Sequence, residues 1–212
     1  MITYLQANSR PETSIAGHQT ARFCNKPMLT HEKAIKRLRR YLYHKNREGL
    51  VYNPYTTKGL ECYVDADFSG GWQQVDSHKP DNVLSRTGMV IMYANCSIFC
   101  RITLQTEISL STAEAEYIAF STALRQVTPL MTMMEEIHTV FPIQISKPDF
   151  VCKFHEDNQS CIKMATGINI SPRTKHIALK YHHFISHVKS GRVVIYYRPT
   201  EEQLADLLTK PL

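Results

Sequence analysis

From Leu60 onward the chain changes character: three short strand-like runs follow one another closely, and after them strand-like and helical runs alternate. The first three are Glu61–Phe68 (ECYVDADF), Thr87–Asn95 (TGMVIMYAN) and Ser97–Glu107 (SIFCRITLQTE), with a hairpin turn over Ala94–Ser97. A long helix capped by Ser111 or Thr112 follows, running to about Thr139, with Pro129 expected to kink or break it. Then come a strand at Asp149–His155, a short helix at Asn158–Ala165 and a helix at Lys175–Lys189 stopped by Gly191. A fifth strand, Arg192–Arg198, and a closing helix, Glu201–Thr209, complete the order. Neighbouring strands joined by tight turns pair antiparallel, whereas strands separated by helices pair parallel through crossovers. The expected architecture is therefore α/β, a central five-stranded mixed sheet flanked by helices.

Residues 1–53 read differently, as a helical extension. From His31 to His44, Ile35, Leu38 and Leu42 form an apolar stripe at helical spacing, with Ala34 and Tyr41 flanking it. Thr30 is the expected N-cap and Gly49 the expected stop. The turn-forming string NPYTTKG at 53–59 then reads as a linker, which divides the chain into residues 1–53 and 60–212.

Composition narrows the class. A hydrophobic fraction of 43% and a charged fraction of 21% are those of a globular protein rather than a disordered one. No run reaches the roughly 18 apolar residues of a membrane helix, and MITYLQANSRPE has no signal-peptide core. The Cys at 24, 62, 96, 100, 152 and 161 show neither Cys-x-x-Cys nor paired Cys/His spacing, so a reduced cytoplasmic or nuclear setting is expected rather than disulfides or zinc. The net charge of +6 is unevenly placed: Lys33, Lys36, Arg37, Arg39, Arg40, Lys45 and Arg47 crowd one stretch. That stretch suits a polyanionic partner, with binding that weakens as salt rises.

Acidic residues fall where chain geometry can gather them. Asp65 and Asp67 are two apart on the first strand and share a face. Glu116 lies near the start of the long helix, Asp157 at the end of the fourth strand and Asp206 in the closing helix. Sheets of this class place their sites at the carboxyl ends of strands. Clustered carboxylates are what hard divalent cations require, and two such ions about 4 Å apart can activate a water and stabilise a leaving oxyanion at a phosphodiester. Spacing alone leaves other readings open. Glu114 and Glu116 also suit a helix N-terminus by charge, and Asp157-Asn158-Gln159-Ser160 also reads as a helix cap.

The strings ECYVDADFSGGW, SRTG, SLSTAEAEYIAFSTA, HEDNQSCIKMA, RTKHIALKYHHF and YRPTEEQLADLLTKPL occur in this order. Together they closely resemble the ribonuclease H domain of copia-type LTR retrotransposon polyproteins over residues 60–212. Residues 1–52 resemble the end of the reverse transcriptase in the same polyproteins, its thumb or connection region. The resemblance implies an RNase H-like fold and an endonuclease that cuts the RNA strand of RNA–DNA hybrids. It implies two Mg2+ ions, replaceable by Mn2+, held by Asp65, Glu116, Asp157 and Asp206, with Glu114 the fallback for Glu116 and Asp67 supporting. Asn158, Gln159, Arg173, Lys175 and His176, with Lys36, Arg37 and Arg40 of the basic stretch, are the expected nucleic-acid contacts. The implied partners are the hybrid and the polymerase part of the same polyprotein, in a virus-like particle, with no membrane.

Other readings are weaker. YVDAD differs from the YVDD turn of polymerases by one inserted residue that separates the paired aspartates, so DNA synthesis is not expected. His183 and His187 are four apart but lack a third ligand, and His182 adds none at that spacing. The third strand reads Ile98-Phe99-Cys100-Arg101 where the family often has Ile-Ser-Trp-Lys, and the loop from Gln73 to Leu84 is atypical. These departures support a rival class, a catalytically inactive hybrid- or protein-binding remnant. An integrase-like strand transferase on the same fold needs a different spacing of acids.

Overall fold

The computed structural model describes residues 2–55, 57–71, 82–141, 151–167 and 178–210, with backbone alone for 178–183. Its strands are β1 (Leu60–Asp67), β2 (Arg86–Tyr93), β3 (Cys96–Leu104), β4 (Cys152–Glu156) and β5 (Val193–Tyr197). Its helices are α1 (Ile2–Asn8), α2 (Ser14–Ala21), α3 (Leu29–His44), α4 (Thr112–Val140), α5 (Gln159–Ala165), α6 (Ala178–Lys189) and α7 (Asp206–Thr209). The sheet order is β3-β2-β1-β4-β5. β1 pairs antiparallel with β2, as β2 does with β3, and β1–β4 and β4–β5 are parallel. The expected mixed sheet is therefore present, and its direction matters. β1, β3, β4 and β5 all end at one edge, so every connection that follows one of them starts there.

Side-chain alternation along β1 separates two packed faces. Cys62, Val64 and Ala66 point to the side of α4, where Phe120, Phe154 and Phe184 are fully buried and interlock at ring distances of 5.1 to 5.8 Å. Truncating any one of these rings to Ala should cost about 3–5 kcal/mol. Tyr63, Val90 and Cys100 point to the other side, under Ala205 and Leu208 of the C-terminal segment. α1 and α2 also pack on this second face, against β3, and α2 touches α7.

Local chemistry moved several expected boundaries. The β2–β3 turn is the tight pair Ala94–Asn95, both at positive φ (50° and 66°), and Ile98 is left unopposed as a bulge. Pro129 does not break α4, which runs on through it to Val140; it lies on the exposed side of the helix, where the carbonyl it leaves without a donor can face solvent. Thr30 is not a cap: the Met28 N–H donates to Nδ1 of His31 at 3.0 Å and the helix starts at Leu29. α3 ends at His44, well before Gly49, and of its stripe only Leu38 is buried while Ile35 stays 42% exposed. The closing helix is in two pieces, a 3-10 turn at Thr200–Glu202 and then α7, because Gln203 turns inward between them. Asp149, at the start of the expected fourth strand, lies outside the described residues.

Candidate active site

Each acid reaches the shared sheet edge by its own route. Asp65 is on β1, facing the Tyr63 side, and is 3% exposed. Asp157 is the first residue beyond β4, and its Oδ2 accepts from Thr200 Oγ1 at 2.7 Å. Glu116 is in the first turns of α4. That helix is fixed by Ser111, whose Oγ accepts from the Glu114 N–H, while Glu114 Oε2 accepts from the Leu110 N–H. These two bonds assign Glu114 to the helix end, which leaves Glu116 facing the sheet. Gln105 anchors the same loop, donating through Nε2 to Thr87 Oγ1 and to the Ala115 carbonyl.

Asp65, Glu116 and Asp157 offer ligand oxygens that all lie within 4.8 Å of one another. Asp206 stands beside this group rather than inside it. Its charge pushes on Asp65, and its Oδ2 pairs with Lys210 Nζ at 2.5 Å. Two devices seat α7. Gln203, buried, donates to the carbonyls of Val64 on β1 and His155 on β4. Gly88 sits opposite Asp65 on β2, and a Cβ there would lie 2.7 Å from Thr209 Cγ2. The bare backbone lets α7 lie against the strand so that Thr209 donates to Asp65 Oδ2.

The electrostatics are those of carboxylates crowded away from water. Burial, then the charges of Asp206 and Asp157, raise Asp65 to about 6 against the pull of Thr209 and Lys210. Burial and the charges of Glu156, Asp65 and Asp157 push Glu116 up to about 11. Such acids need a cation, a proton or both. Glu116 Oε2 and Asp206 Oδ1 are buried acceptors with no hydrogen-bond partner among the described residues, which fits a hard divalent ion bound by oxygen.

No family model matches the chain. It is 28% identical over 211 residues to the Retrovirus-related Pol polyprotein from transposon RE1 of Arabidopsis thaliana, covering 100% of this chain and 13% of that protein. Against that from transposon RE2 it is 29% identical, again over 100% of this chain and 13% of the relative. Over its full length the chain is therefore similar to retrovirus-related Pol polyproteins of plant transposons. The chain spans about an eighth of the length of those polyproteins. It is also 31% identical over 125 residues to Secreted RxLR effector protein 161 of Plasmopara viticola, covering 59% of this chain and 82% of that one. LC11-RNase H1 is a similar solved structure, at 17% identity and TM-score 0.49, covering 71% of this chain and 92% of that one.

The remaining expected residues are scattered. Asn158 Oδ1 accepts from the Ser160 and Cys161 N–H groups as the N-cap of α5, and Gln159 is exposed beside it. Lys36, Arg37 and Arg40 are exposed on α3, with Lys36 paired to Glu32 at 2.6 Å. Arg173, Lys175 and His176 lie outside the described residues. Asp67 pairs at 3.0 Å with Arg86, whose side chain is 1% exposed and whose Nε and Nη2 have no hydrogen-bond partner among the described residues. Sequence reasoning missed Glu156, a fully buried carboxylic acid whose Oε1 accepts from the Asn158 N–H and which crowds Glu116. It also missed Gln203 and Thr209, each three residues from Asp206. Their spacing on the closing segment was the one available signal.

Proposed function

We propose that the chain is a ribonuclease H that cuts the RNA strand of an RNA–DNA hybrid, with Asp65, Glu116, Asp157 and Asp206 as its catalytic and metal-binding residues. The observation that carries this reading is the meeting of Asp65, Glu116 and Asp157 within 4.8 Å at one sheet edge, with Asp206 adjoining. Two Mg2+ ions, or Mn2+ in their place, would be held by these carboxylates and would supply Lewis acidity toward a phosphodiester and its attacking water. The protein does the rest. Thr209 and Thr200 fix the rotamers of Asp65 and Asp157. Lys210 stands beside Asp206 with a positive charge that a scissile phosphate can share. Lys36, Arg37 and Arg40 attract the duplex backbone, and Asn158 and Gln159 flank Asp157 where bases and sugars pass. Contacts with 2′-hydroxyls distinguish the RNA strand.

On this reading residues 1–53 are the end of a reverse transcriptase and residues 60–212 the nuclease. The polymerase part of the same polyprotein is a partner, in a cytoplasmic or nuclear virus-like particle. Among the described residues, no helix is long and apolar enough to cross a membrane. A labelled hybrid incubated with Mg2+ should be cut by the native chain and at least 100-fold more slowly by Asp157→Asn, the scale expected when a group acting in the transition state is lost. Undiminished cutting by the variant would remove Asp157 from the site.

One finding favours a second reading, a catalytically inactive binding remnant. The likeness to an effector protein covers 82% of that protein, so this sequence type also occurs in a chain little longer than the matched region. Tight hybrid binding without cutting by the native chain would select it.

A further inference from the structure

α3 leaves part of its apolar stripe unpacked, and the space it leaves has a definite shape. A cavity of about 540 Å³ opens between α2, α3 and the carboxyl edge of the sheet. Ala34, Leu38 and Tyr41 line its α3 wall, at the spacing of one helix face, and Ile15 and Ala16 line the wall opposite. A surface helix ordinarily buries such a face. Here only Leu38 is buried, and Ala34 is exposed.

The two ends of the cavity give it a chemistry. At the inner end are Thr209, which donates to Asp65, and Lys210, which pairs with Asp206. At the outer end is Arg37, shared with a second hollow ringed by Lys33, Arg40 and His44. The two acids on the wall are neutralised within the protein. Glu12 pairs with Arg10 at 2.6 Å, and Asp67 with Arg86 at 3.0 Å. An anionic chain therefore meets Arg37 at the outer end, the Lys210 ammonium that it shares with Asp206 at the inner end, and an apolar wall carrying one aromatic ring between them. Grooves that hold single-stranded nucleic acid combine these same elements, cations along the backbone and an aromatic surface for unstacked bases. The volume falls in the range of pockets for small organic ligands, room for a nucleotide or two but not for a duplex.

We propose that this channel takes the unpaired end of a nucleic-acid strand that emerges from a duplex at the carboxylates. The position of the duplex rests on the ribonuclease reading; the single-strand affinity of the channel does not. The test is fluorescence anisotropy without divalent metal, using a blunt RNA–DNA hybrid, the same hybrid with a short oligothymidine tail, and free oligothymidine. The tailed hybrid should bind about tenfold tighter than the blunt one, the scale of one stacked base. Ala34→Trp, at an exposed helix position, fills the channel. It should abolish the gain and the oligothymidine binding while leaving blunt-hybrid affinity unchanged, and Tyr41→Ala should reduce both in the same way. A tail that adds nothing, or a gain that survives in both variants, overturns the proposal. Oligothymidine binding that Ala34→Trp removes, in a chain that neither binds nor cuts blunt hybrid, overturns the ribonuclease reading and upholds the channel.

Discussion

Gly88 illustrates how a single residue governs the geometry of the acids. It faces Asp65 across the β1–β2 ladder, and α7 rests on it so closely that a methyl group would meet Thr209 at 2.7 Å, with Ala205 O and Leu208 Cβ each at 3.2 Å. Those contacts are with backbone and with the packed base of a helix, so they have little room to give. Gly88→Ala should displace α7, loosen the hydrogen bond from Thr209 to Asp65 and move Asp206 away. We expect stability to fall by about 1–3 kcal/mol and metal-dependent hybrid cleavage to fall much further. Denaturant midpoints and single-turnover rates would measure the two losses. A variant with native cleavage would mean that α7 does not position the site. At the same scale, Glu114 and Glu116 are two residues apart and chemically identical, yet one caps the helix and the other faces the sheet.

Among the elements, α4 does the most to build the site. It carries Glu116 in its early turns and supplies much of the core on one side of the sheet. Its second half continues through Pro129 without interruption, at the cost of one backbone hydrogen bond. Pro129→Ala restores that bond at an exposed position, where no core contact is altered. Stability should rise by about 1–3 kcal/mol, read as a higher urea midpoint with an unchanged slope, and cleavage should be unaffected. A lower midpoint would mean that the proline ring packs usefully where it stands. The closing segment works differently. Its helix is short and gains its position from Gln203, which bridges the carbonyls of β1 and β4.

In the whole molecule, the gathered acids set stability against function. Asp65 titrates at 3.8 when unperturbed and at about 6 in the fold, and Glu116 moves from 4.5 to about 11. Folded-state values raised in this way give stability that is present below pH 4 and lost as pH climbs through 6 and beyond. For Asp65 the loss is on the order of 3 kcal/mol. That loss is spread between about pH 4 and pH 6, so without divalent metal the chain should melt roughly 5–10 °C lower at pH 8 than at pH 4. On the proposed reading, magnesium would bind only the folded arrangement and should recover much of that difference at pH 8. Calorimetry at the two pH values, with and without Mg2+, tests this; a melting point indifferent to Mg2+ at pH 8 would remove the metal centre.

The order of strands and helices was legible along the sequence, because side-chain period depends on neighbours two to four residues apart. So were Asp65, Asp157 and Asp206 as candidates, through short strings that resemble a known family. Three things were decided only by tertiary packing: which acid of α4 faces the sheet, the break at Gln203 that seats Asp206, and the channel under α3. Each depends on groups far apart in sequence meeting in space, as when Gln203 bonds to Val64, 139 residues away. Local patterns carry no record of such meetings, since what fixes them is which donor finds a buried acceptor once the sheet has closed.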